Sequence, residues 1–116
     1  MFYIDPELKL VTHQKGKRIQ AVIYADGVLN ISFESFIISL SIFNHDNGIV
    51  VTSGDQRVSS LWLKDTMDSY NLVFNGHNQL EIINIRLRTI RMFFRMQKAE
   101  ISNLQKEFAR RLEKCT

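Results

Sequence analysis

The feature that most restricts this chain is a change of period near residue 76. Before it, apolar residues alternate with polar ones in short runs separated by turn residues. After it, no glycine or proline occurs, and leucine-sized residues recur at Leu80, Ile83, Leu87, Ile90 and Phe94, in steps of three and four. That spacing marks one face of a helix. The pattern continues at Ile101, Leu104 and Phe108, with Leu112 beside the slot that Arg111 takes. A single helix of roughly 38 residues, about 55 Å long, is expected over 79–116. Ile82, Met92, Phe93 and Met96 widen the apolar face of its first half, as packing on a sheet requires.

The first two-thirds reads as seven strands: LKLVTHQ, RIQAVIYA, VLNISF, FIISLSIF, IVVTS, VSSLWLKD and SYNLVFN. Turns separate them at Lys15-Gly16-Lys17, Asp26-Gly27, Asn44 to Gly48, Gly54-Asp55 and Asn75-Gly76. Asp26-Gly27 is the dipeptide that two-residue hairpins prefer. Seven short strands with short connections predict an antiparallel meander closing into a sandwich or barrel. The fold class expected is therefore mainly β with one long C-terminal helix. A helix of that length outruns so small a barrel, so residues 1–96 form the domain and 97–116 a helical extension.

Composition bounds the function. With 116 residues, 45% apolar and 23% charged, the chain suits one soluble globular domain. No run of apolar residues is long enough to span a bilayer, and the acids in MFYIDPELKL do not suit a signal peptide. The one cysteine, Cys115, has no internal disulfide partner, so a reducing compartment, nucleus or cytoplasm, is expected. The net charge of +3 is uneven. Residues 86–116 hold nine Lys/Arg against three Glu, leaving the first 85 residues at −3.

Catalytic and metal signatures are absent from the sequence. His13, His45 and His77 lie in or beside turns without ligand spacing, and solvated surface histidines are expected. Asp26, Asp46, Asp55, Asp65 and Asp68 fall in turns, where local backbone hydrogen bonds favour them. There is no phosphate-binding glycine loop and no nucleophile elbow. The chain reads as a non-catalytic binding protein with no cofactor and no metal.

Three binding surfaces remain. Ile101, Leu104, Phe108 and Leu112 form a stripe with no sheet left beneath it, suited to a protein partner or to self-association as a coiled-coil extension. Arg88, Arg91, Arg95 and Lys98 form a basic row that borders the buried face, orients a partner, or contacts nucleic acid. Lys15, Lys17 and Arg18 lie in one turn, where Gly16 lets an anion such as a phosphoinositide headgroup approach.

Seven strands followed by one helix resembles the pleckstrin-homology (PH) superfold, in which the helix caps a bent two-sheet barrel. The resemblance implies that Leu87, Ile90, Phe93 and Phe94 close the barrel, and that the loop at 15–18 occupies the site where lipid-binding members hold basic residues. The tryptophan that many such members carry in the helix is here Trp62, on the sixth expected strand. Within that superfold, SLWLKDTMDSYNLVFNGHNQLEIINIRLRTIRMFF is similar to part of the PH-like domain of meiotic accessory scaffolds that help initiate recombination by DNA double-strand breaks. That likeness implies a scaffold or adaptor in a nuclear recombination complex.

Overall fold

The computed structural model describes residues 2–5, 9–43, 48–62, 68–76 and 78–114. Nine strands and one helix follow in order: β1 (Phe2–Ile4), β2 (Val11–His13), β3 (Ala21–Ala25), β4 (Val28–Ser32), β5 (Ile37–Phe43), β6 (Gly48–Ser53), β7 (Gln56–Trp62), β8 (Tyr70–Asn75), β9 (Leu80–Ile85) and α1 (Leu87–Lys114). They form two antiparallel sheets, one ordered β1-β3-β4-β5-β6-β7 and one ordered β2-β9-β8. The expected seven-stranded closed barrel is corrected here, because the described residues form nine strands in two sheets that do not close into a barrel.

The alternating runs do what their period dictates. Along β3, β4 and β5, Val22, Tyr24, Leu29, Ile31, Ile38 and Leu40 point inward and are buried. They meet Ile49 and Val51 of β6, and Val11, Leu72, Phe74, Ile83 and Ile85 of the smaller sheet, in one core. Asp26 and Gly27 both adopt positive φ, 52° and 78°, and Ala25 pairs with Val28 across them. That is the tight turn whose twist matches the flanking strands.

Two elements depart from the expectation. Phe2–Ile4 pairs with β3 as an additional edge strand. Leu80–Ile85 is a strand, not the first turns of the helix, and it sits between β2 and β8. Its β-branched residues Ile82, Ile83 and Ile85 favour extended backbone. Its inward positions Glu81, Ile83 and Ile85 alternate strictly. Ile83 and Leu87 fall four apart only because a strand and a helix meet there. The helix is correspondingly shorter, 28 residues or about 42 Å.

No Ser, Thr, Asp or Asn caps the start of α1. Instead the amide of Arg86 donates to the carbonyl of Leu10 at 3.0 Å, and that of Leu87 to the carbonyl of Asp68 at 3.0 Å. These bonds satisfy two amides at the helix start that have no acceptor within the helix. A single residue, Arg86, separates β9 from α1.

Only the first part of α1 is packed. Leu87, Ile90, Phe94 and Gln97 are buried, and Tyr24 of β3 meets the rings of Phe93 and Phe94 edge-on at 5.6 and 5.9 Å. The widened apolar face is corrected: Ile82 belongs to β9, and Met92 and Met96 are exposed on the far side of the helix. From Lys98 to Lys114 every residue is exposed. The molecule measures 60 × 30 × 26 Å with a radius of gyration of 16.3 Å, against about 13 Å for a compact chain of this length.

Candidate functional site

The projecting half of α1 carries an exposed apolar stripe of four residues. Leu104 is 60%, Phe108 65% and Leu112 56% exposed, and Ile101, nearest the sheets, is 37% exposed. A rotation of 100° per residue places all four within about 80° of arc, the same arc that holds Leu87, Ile90, Phe94 and Gln97. Stripe and core face are one continuous surface, covered along its first half. Where the cover ends, Gln97 is buried and its Oε1 has no hydrogen-bond partner.

The charges beside this stripe differ on its two flanks. Arg91 and Lys98 follow one edge, Glu100 and Glu107 the other. Glu107 pairs with Arg111 one turn on, at 3.1 Å. Arg111 and Lys114 lie in the last turn, where cations complement the helix dipole.

The structure keeps the basic row Arg88, Arg91, Arg95 and Lys98 together along α1. Arg88 pairs with Asp68 at 3.1 Å, both side chains largely in solvent. The aromatics between these basic residues face inward: Phe94 is buried and Phe93 packs against the core. Phe94 has no free face for stacking on bases, and Phe93 is half taken up by Tyr24 and Phe94.

The basic loop is split. Lys15 and Arg18 are exposed, whereas Lys17 turns inward. Its Nζ donates to Glu81 Oε1 at 2.8 Å and lies 5.8 Å above the ring of Phe36. Gln79 Nε2 also donates to Glu81 Oε1, at 2.8 Å, and His13 Nε2 to Glu81 Oε2. The amide of Lys15 donates to His13 Nδ1 at 3.0 Å, which fixes the ring as the Nε2–H tautomer. Phe33 and Phe36 flank the imidazole, with centroids 6.0 and 6.1 Å away.

This cluster corrects the reading of His13 as a solvated histidine: it is 8% exposed, and Glu81 1%. Burial alone would raise the carboxyl of Glu81. The hydrogen bonds from Lys17, Gln79 and His13, with the charge of Lys17, outweigh it and hold the group at about 2 instead of 4.5. Gly76 makes room, since a Cβ there would stand 2.7 Å from Glu81 Cγ. Both imidazole nitrogens and both carboxylate oxygens are engaged, so the cluster fastens the loop after β2 to β9.

That arrangement was hidden because 68 residues separate His13 from Glu81. One signal was present: in LEIINI the glutamate shares a phase with two inward isoleucines, an unusual place for an unpaired acid.

Beside the cluster an open cleft of about 680 Å³ is bordered by Phe33, Phe36, Ser53, Asn75 and Gly76. Among the described residues no three of His, Cys, Asp and Glu gather as metal ligands. His45, His77, Asp46, Asp65 and Cys115 lie outside the described residues. Among the described residues no helix is long and apolar enough to cross a membrane. Comparison with family models, with curated proteins and with solved structures finds no match to this chain.

Proposed function

We propose that the chain is a non-catalytic interaction module of scaffold or adaptor type, whose two-sheet body holds out α1 as a docking arm. The observation that carries this is the continuous stripe: one helix face is buried at Leu87, Ile90 and Phe94 and bare at Leu104, Phe108 and Leu112. Burying one leucine or phenylalanine contributes about 1.5–3 kcal/mol. A row of four at heptad-like spacing on a protruding helix fits a partner helix better than it fits solvent. The basic row at 88–98 lies on the adjacent flank and suits an acidic segment of the same partner.

The element order, sheets followed by a C-terminal helix, supports a PH-like architecture, and with it a place in a nuclear assembly of the recombination-scaffold kind. A phosphoinositide reading draws less support, because Lys17 is committed to Glu81 and the loop presents only Lys15 and Arg18 outward.

A photo-crosslinking residue at Leu104, compared in living cells with the same residue at Met92, tests the docking arm. Adducts at Leu104 and none at Met92 are expected. Absence of any adduct at Leu104 sinks the reading, and the mass of the adduct separates self-association from a different partner.

A further inference from the structure

The sheets that cover the first half of α1 restrict what can cover the second. A helix laid on Ile101, Leu104 and Phe108 runs about 10 Å from the axis of α1. It lies on the side already filled by the sheets at Gln97 and before. Extended that way, it collides with them. Two copies with stripes face to face therefore cannot run parallel, because each body would occupy the gap that the other body needs. Antiparallel copies meet no such conflict, since each body lies beyond the other's arm.

Charge then selects the register. In antiparallel pairs the two apolar positions of the heptad face each other. One register sets Leu104 against Phe108 of the second copy, and Glu100 against its Lys114. In this register Glu107 meets Glu107 of the second copy at the two-fold axis, a single like-charge contact against two Glu100–Lys114 pairs, and each Glu107 keeps its own Arg111 at 3.1 Å. Shifting by one heptad sets Ile101 against Leu104, but then Glu100 faces Glu107. That shift also brings Phe108 onto Gln97, which is already buried. Like charges and a blocked contact both disfavour the shifted alternative.

We propose that a second copy of this chain covers the stripe, as an antiparallel helix pair in which Leu104 packs on Phe108 and Glu100 faces Lys114 across a two-fold axis. This rests on the reading of α1 as a docking arm and adds its occupant, direction and register. The overlap runs from Lys98 to Lys114, about 25 Å of helix.

Light scattering on the intact chain over a concentration series tests it, with Glu100→Lys, Lys114→Glu and the double reversal. The native chain should dimerise. Each single reversal should weaken the dimer roughly tenfold, and the double should restore it. In a Cys115→Ser background, chains carrying Leu104→Cys and Phe108→Cys should form a disulfide with each other when mixed. A monomer at every concentration overturns the second copy as occupant and leaves the docking arm to its own crosslinking test. Leu104→Cys chains that join one another in preference overturn the antiparallel arrangement. A dimer indifferent to Leu104→Asp with Phe108→Asp overturns this proposal and the docking arm together.

Discussion

Two regions of the molecule reverse the usual placement of side chains, in opposite directions. At one end of β9 a carboxylate, an imidazole and an ammonium lie in or against the core. Along the outer half of α1, large apolar side chains stand in water. The first reversal is resolved inside the chain, because Glu81 receives three donors and both His13 nitrogens are bonded. The second is left open, with the orphan oxygen of Gln97 marking where internal cover stops. A closed charge cluster is a fastening, whereas the open apolar stripe is the surface proposed above as an interface. The contrast assigns stability to one region and association to the other, and substitutions should separate the two.

The largest effect should come where the helix face is covered. Phe94→Ala should lower fold stability by about 3–5 kcal/mol in urea denaturation, whereas Phe108→Ala on the same face should leave the unfolding of the monomer almost unchanged. Equal losses at both positions would break the contrast. Next, Glu81→Gln leaves the buried His13 and the half-buried Lys17 without their carboxylate and should cost about 3 kcal/mol, without altering the mass in solution.

The same carboxylate sets a pH dependence. Its folded value, about 2, lies below the ordinary 4.5, so its contribution is complete above the higher value and is lost as pH falls towards the lower. The step amounts to roughly 3 kcal/mol. Urea midpoints of native chain and Glu81→Gln should converge on acidification; parallel curves would show that the cluster does not fasten the fold. Lys17→Met removes one donor of three from a partly exposed position and should cost about 1 kcal/mol. Smallest of all, Leu104→Ser with Leu112→Ser should move monomer stability by under about 0.5 kcal/mol, and a larger loss by thermal melting would mean that the arm folds back on the body.

The legible parts of the fold were those decided locally. Asp26-Gly27 specifies its own turn, and the inward phase of β3, β4 and β5 can be read from alternation. The stripe of α1 was legible too, since Ile101, Leu104 and Phe108 repeat at heptad intervals. Hidden were the features settled by distant partners. The start of α1 is held by carbonyls of Leu10 and Asp68, so no capping residue announces it, and Ile83 joined a helical spacing that crosses an element boundary. Short β1 is an edge strand whose pairing with Tyr24 and its neighbours leaves no periodic signature in three residues. The fate of Lys17, turned inward to Glu81, depends on a residue 64 positions later.

The lone residue between β9 and α1 has a mechanical meaning. With Arg86 and Leu87 tied to two separate carbonyls, the arm has no hinge at its base and acts as a cantilever whose free length, from Lys98 to Lys114, is about 25 Å. A load on its tip is delivered as torque to the central strand of the smaller sheet. Whatever grips the far end of this rod is thereby held at a fixed angle to the body and not merely tethered to it.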